Sequence, residues 1–273
     1  MTRSIIVVFF SLAIGLFLLV AVVVLCADDT QQSGVLCRFR IDNRLVAGDT
    51  LVKSVTIFYD GLVYDFLGEH GQITLYDPSA GTFVLLDPSC RLKAVVTTET
   101  LAGDFERRKE AFRNSNNPLE NYLAEPYFEE TGYESESGLM YFRSPWVVYR
   151  FETVTLNVPT VSEAYYEYCR QLTLLNIRTS GLPSPMIRHL LNPVLEQHRR
   201  FPGKVSMTLY PKGKVFLTGT AIQAESTHTF VWRLQSTDEA KVEQANRSRE
   251  LFREISLDDY IRETRNTHAA KAH

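Results

Sequence analysis

Residues Ser4 to Cys26, SIIVVFFSLAIGLFLLVAVVVLC, run for 23 positions without a charge. A helix of that length spans a hydrocarbon core of about 30 Å, and the polar stripe of a soluble core helix is missing. Three readings compete. A cleaved signal peptide has an apolar region of about 7–15 residues with small residues before the cut. This run is longer, although Val24-Leu25-Cys26 is a tolerable cleavage triplet. A lipoprotein signal places a small residue before Cys26, where Leu25 stands. A retained transmembrane signal anchor fits best, with boundaries at Ser4 and Cys26. Arg3 precedes the run, Asp28 and Asp29 follow it, and the next basic residue is Arg38. This asymmetry places the N-terminus in the cytoplasm and the rest of the chain outside it, as a single-pass membrane protein.

The chain then divides by composition. Residues 1–27 are the cytoplasmic stub and anchor, and residues 28–34 (DDTQQSG) a polar linker. Residues 35–235 form an extracytoplasmic α+β domain, and residues 236–273 polar helices and a frayed tail. A net charge of −3 over 273 residues leaves no basic footprint for nucleic acid. Cys37, Cys90 and Cys169 follow Cys26, an odd set in which Cys37 and Cys90 can pair, though buried free thiols are the favoured reading. No Cys/His spacing matches a zinc site, and no cofactor is implied.

The strand signals are short-range. VTIFY and LVYDF flank Asp60-Gly61, a dipeptide that tolerates the positive φ angles of a type I′ hairpin turn. GEHG makes a second turn and DPSAG a third, and Asp87-Pro88 stops TFVLL before RLKAVVT. With VLCRFRI at the front, these segments predict an antiparallel meander of about five strands. LAGDFERRKEAFRN reads as a short helix. From Asn114 to Phe142 there is no Lys or Arg but six glutamates, and residues 118–137 read as an acidic loop holding one short helical turn.

LMYFR and WVVYRFETVTL return to strand. Thr160 to Glu163 reads as a capping box opening a helix to about Ile177. Ser184-Pro185 opens a second helix that Pro193 kinks or divides. KVSMTLY, KVFLTGTAIQ and HTFVWRL predict a second meander, and Ser236 with Glu239 a last capping box. The expected fold is a transmembrane helix followed by a curved antiparallel sheet of two meanders, with helices packed on one face.

FYDGLVYDFLGEHGQITLYD gathers Asp60, Asp65, Glu69, His70 and Asp77 in one stretch. A general acid and base must converge in space. Asp60 and Asp77 stand at turn positions. Asp60 and Glu69-His70 fall at opposite ends of a strand of about 20 Å. Turn chemistry therefore accounts for most of the cluster, leaving His70 and Asp77 as low-odds surface candidates. The acidic segment adds Glu125 and Tyr127, with Tyr122, Phe128 and Tyr133 interleaved as residues that pack on something. Trp232 is the last candidate for a ligand or partner surface. No nucleophile elbow, phosphate loop, dinucleotide fingerprint or zinc-protease motif occurs.

At the level of topology, the meander, helices, meander order of residues 35–235 resembles the LolA/LppX-like half-barrel proteins of bacterial envelopes. The segments DGLVYDF and QITLYDPSAGTFVLLD carry the likeness. The resemblance implies an apolar concavity for lipidated cargo, and it transfers no family residue to this chain. The expected function is a membrane-tethered, non-enzymatic envelope module binding an apolar ligand or a protein partner. An apolar groove is expected to be lined by Phe83, Leu85, Tyr165, Leu190 and Trp232. The alternatives are an extracytoplasmic hydrolase drawing on His70, Asp77, His189 or His228, and a structural subunit of a membrane complex.

Overall fold

The computed structural model describes residues 37–68, 71–156, 158–180, 184–213 and 221–271. Six strands come first: β1 (Phe39–Ala47), β2 (Thr50–Tyr59), β3 (Leu62–Leu67), β4 (Gln72–Asp77), β5 (Thr82–Asp87) and β6 (Leu92–Thr97). Helices α1 (Thr98–Arg113) and α2 (Pro118–Ala124) follow. Then come β7 (Glu130–Glu134), β8 (Leu139–Arg143) and β9 (Val147–Val154), and helices α3 (Pro159–Thr179) and α4 (Ser184–Gln197). Next are β10 (Phe201–Leu209), β11 (Ile222–Val231), α5 (Ser236–Leu251), β12 (Arg253–Glu254) and α6 (Leu257–Lys271).

All strands belong to one open sheet in the order β12-β6-β5-β4-β3-β2-β1-β11-β10-β9-β8-β7. Two antiparallel meanders, β1–β6 and β7–β11, meet where β1 pairs with β11. The turn chemistry read from sequence fixes the first meander. Asp60 and Gly61 take φ of 51° and 81°, the positive values a type I′ turn requires. The Asp60 carboxylate also accepts two hydrogen bonds from the Arg38 guanidinium, at 2.8 and 2.9 Å.

One face of the sheet carries the main core. Phe39 stacks on Phe58 at 4.2 Å, Tyr168 of α3 meets Phe58 edge-on at 5.7 Å, and Tyr76 stacks on Phe83 at 4.5 Å. Tyr165 and Tyr166 of α3 pack on Phe201, and Tyr165 on Phe230. Ring pairs of this kind add roughly 0.5–1.5 kcal/mol each beyond their buried area. On the opposite face Ile57, Tyr64, Ile73, Leu75, Val84 and Leu86 pack against Val242 and Ala245 of α5. Strand β5 shows why both faces are covered. Phe83, Val84, Leu85 and Leu86 are all buried, so the strand is apolar without alternation, as a strand between two layers must be.

The expected fold is α+β, but its description needs three corrections. No helix among the described residues is long and apolar enough to cross a membrane. Helix α3 has the length but carries Glu163, Glu167, Arg170 and Arg178, and α4 is more apolar but has 14 residues. The span expected between Ser4 and Cys26, and the single-pass signal anchor built on it, lie outside the described residues. Second, the sheet is mixed: β12 pairs with β6 in parallel. Third, helices occupy both faces. The inner set is joined by α5 on the other side, where Arg40 of β1 donates to the buried Asp238 at 3.0 Å. Asp238 also accepts from the Gln235 amide at 2.9 Å, so the capping box sits one residue earlier than expected.

The acidic excursion holds the short helix α2, and it also holds a strand, β7, that the loop reading did not include. Helix α4 runs through Pro193 without dividing. Cys37, Cys90 and Cys169 are free thiols.

Candidate functional site

Asp77 closes the β4–β5 turn. Its Oδ1 accepts from the Ser79 and Ala80 amides at 3.0 and 3.1 Å and from the Ser79 hydroxyl at 2.6 Å. Those bonds, the Ser79 hydroxyl foremost, hold its carboxyl below the usual range. Glu69 and His70 lie outside the described residues. Glu125 caps the end of α2 and pairs with Arg113 at 2.7 Å. Tyr127 is 52 % exposed and meets Tyr122 edge-on. Trp232, 48 % exposed, lies just past β11 against Phe39 and Phe230. Among the described residues, no hydrogen bond or ring contact links Asp77, Glu125 or Tyr127, and Trp232 to one another. His189 packs on Phe105 and His198 on Tyr133, both at 4.5 Å. The expected groove divides as well, because Phe83, Leu85 and Tyr165 are buried in the core while Leu190 and Trp232 are exposed. No group of three or more His, Cys, Asp or Glu converges to hold a metal ion among the described residues.

Two other arrangements stand out. The first is β7, which ends the sheet. Among the described residues its sequence ETGYE pairs only with β8, in the register Glu130↔Arg143 to Glu134↔Leu139. Glu129, Glu130, Glu134 and Glu136 are all exposed. Glu130 has a partner, Arg143, at 2.7 Å. Arg200 braces the strand through Tyr133 Oη at 2.8 Å and the Ser135 carbonyl at 2.9 Å. Opposite Gly132 the Tyr141 ring leans over the backbone, so a Cβ there would come within 2.2 Å of it. Such an edge offers main-chain donors and acceptors to another extended chain.

The second is a hydrogen-bonded chain on the inner face, built by strand register. Asn43 of β1 stands opposite His228 of β11 and Ser54 of β2. Its Nδ2 donates to Ser54 Oγ at 3.2 Å and to Thr56 Oγ1 at 3.0 Å. Asn43 Oδ1 is therefore an acceptor, and it lies 2.8 Å from His228 Nδ1. That assigns the imidazole proton to Nδ1 and leaves Nε2 to accept from Ser226 Oγ at 3.1 Å. At the other end Thr56 Oγ1 donates to Asp65 Oδ1 at 2.7 Å.

Every donor in the series Ser226, His228, Asn43, Thr56 points toward Asp65. Burial pushes the Asp65 carboxyl up to about 6, against the hydrogen bonds from Thr56 and Ser54. Burial first, and then the charge of Arg188, pushes the His228 imidazole down to about 4. Desolvation thus disfavours the charged form at both ends. Among the described residues, the buried Arg188 Nη1 and Tyr168 Oη have no hydrogen-bond partner.

Sequence reasoning singled out neither Ser226 nor Asn43, although the signal was present. Phe39 and Ile41 set an apolar parity that Asn43 breaks, and Ser226 and His228 occupy the parity that Phe230 and Trp232 continue. Polar residues on the buried phase of a strand must find partners on its neighbours. Asn246-Arg247-Ser248 matches the Asn-x-Ser sequon, but its side chains are engaged: Tyr64 Oη donates to Asn246 Oδ1 at 3.1 Å, and Ser248 is buried.

The chain matches no protein-family model and no curated protein.

Proposed function

We propose that this domain is a binding module that docks an extended, basic segment of a protein partner along β7. The observation that carries this reading is the β7 edge, unpaired among the described residues and lined by exposed glutamates, with Tyr133 in the strand and the exposed Tyr127 before it. Strand addition draws affinity from main-chain hydrogen bonds and selectivity from the alternating side chains. Four glutamates facing four glutamates disfavour a second copy of the same edge, whereas lysines and arginines complement it. The packed inner core favours a protein partner over an apolar cargo. The likeness to half-barrel envelope proteins, and the extracytoplasmic location expected from sequence, are further parts of the proposal. Protease accessibility on intact against lysed cells tests the location on its own.

Photo-crosslinking tests the docking edge. A crosslinker at Glu130 of the full chain is expected to capture a basic, extended segment, identified by mass spectrometry. The same group at Val95, on β6, serves as the control. Equal capture from both positions, or capture of no basic segment at Glu130, overturns the proposal.

A further inference from the structure

The inner-face chain places a serine, a histidine and an acceptor for the histidine in the order that nucleophilic catalysis uses. Ser226 Oγ, His228 Nε2, His228 Nδ1 and Asn43 Oδ1 are joined by contacts of 3.1 and 2.8 Å. Asn43 is held as an acceptor because both its amide hydrogens are committed to Ser54 and Thr56. The neutral imidazole therefore presents an unprotonated nitrogen to the serine hydroxyl. Ser226 and His228 are partly exposed, so the chain reaches solvent at its serine end.

The surroundings point to a class of substrate. Leu45 stands directly opposite Ser226, and Leu67 directly opposite Ser54, on the same face of the sheet. Ile222 lies four residues before Ser226, again on that face. These three side chains are 41 %, 42 % and 50 % exposed, apolar positions on the face that carries the polar chain, with Leu45 the one beside Ser226. Among the described residues the buried Arg188 Nη1 has no hydrogen-bond partner, and its charge, after burial, lowers the His228 pKa.

We propose that this face is an acyl-transfer site for carboxylic esters with an apolar acyl group, with Ser226 as the nucleophile. His228 is the general base and Asn43 the positioning residue. In the first step Ser226 Oγ bonds to the carbonyl carbon as its proton passes to His228 Nε2. The bond to the leaving alkoxide breaks, and His228 returns the proton to that oxygen. Water then attacks the acyl-serine by the same base, releasing the carboxylic acid and restoring the hydroxyl. The step needs no reagent beyond ester and water, and it is independent of the β7 edge.

Treatment of the full chain with an alkyl fluorophosphonate, followed by peptide mass spectrometry, is the direct test. A covalent adduct on Ser226 is expected, together with turnover of p-nitrophenyl butyrate. S226A should abolish both while leaving the unfolding midpoint unchanged. H228Q should slow labelling about 100-fold or more, the usual contribution of a general base.

H228Q also cuts a buried chain, so N43D is the second variant. Its carboxylate favours the protonated imidazole and should move the pH midpoint of labelling upward from that of the wild type, in which burial holds the His228 imidazole low. The groups facing that imidazole are Ser226 on β11, Asn43 on β1 and Arg188 on α4. Asp65 on β3 lies beyond Thr56, with Tyr168 of α3 near it. An unlabelled Ser226, or labelling indifferent to H228Q and to N43D, overturns the proposal and leaves the chain as a structural bridge between strands.

Discussion

The two edges of the sheet are built differently. At the β6 edge the chain returns to close what it opened. The Arg253 amide donates to the Arg91 carbonyl at 3.1 Å and the Ile255 amide to the Lys93 carbonyl at 2.9 Å, forming β12. Lys93 Nζ donates to the Arg249 carbonyl at 2.8 Å. Helix α6 then folds over, placing Tyr260 in the core and His268 against Asp87, a carboxylate with 0 % exposure. At the β7 edge no strand, helix or turn among the described residues completes the pairing, and charge alone guards it. Natural sheets manage their edges by covering them or by charging them, and this protein does one at each end. A covered edge serves stability, while a charged one stays available to a partner of opposite sign.

Opening the closed edge should have the largest effect. Ile255→Pro removes the amide that bonds to Lys93 and disturbs a side chain packed on the core. It is expected to cost about 3 kcal/mol in urea unfolding. It should also promote self-association through β6, visible by sedimentation. A monomer of wild-type stability would show that β12 does not seal the edge.

The buried pair comes next. Burial raises the Asp87 carboxyl pKa, but hydrogen bonds from His268, Gln72 and the Ser89 amide outweigh it, and the net position is low. A carboxyl whose folded pKa lies below its unfolded value, about 3.9, stabilises the fold above that pH and loses the contribution as pH falls through the folded pKa. His268→Ala should cost about 2 kcal/mol near neutrality and less in acid. An equal loss at pH 7 and pH 3 would place the effect in packing instead.

Smaller effects belong to the open edge. Gly132→Val forces the Tyr141 ring aside and should cost about 1 kcal/mol. It should also weaken capture at the edge, where a branched side chain now stands. The least effect on folding is expected from Glu129→Lys with Glu136→Lys, within about 0.5 kcal/mol of wild type. The same double change should abolish capture of a basic segment by the Glu130 crosslinker. Undiminished capture would remove charge from the account of this edge.

The sequence shows the first meander clearly because its information is local. Asp60-Gly61 and Asp77-Pro78 set turns whose strands are adjacent in the chain, and those strands form as expected. It does not show how β12 meets β6, since that pairing joins residues some 160 apart and spans two positions. Strand β7 was hidden for another reason. Glu130 to Glu134 has no buried phase to alternate against, so a pattern of apolar and polar residues has nothing to register. The inner-face chain was hidden by distance as well. Asn43 and His228 are unremarkable singly, and only the β1–β11 register makes them a pair.

That register also sets an order of events during synthesis. The first meander can assemble as soon as residue 97 emerges, but the partner of β1 begins at residue 222. At about 5–20 residues per second, the 174 residues between the end of β1 and the start of β11 take roughly 9–35 s to translate. For that interval the nine-residue strand β1 is itself an exposed edge in the nascent protein. Its outer half, with Arg40, Asp42 and Arg44, is charged, which suits a strand that must wait unpaired. The mature molecule offers β7 to a partner, but the growing chain first offers β1, and a chaperone meeting it would compete with β11 for the same backbone.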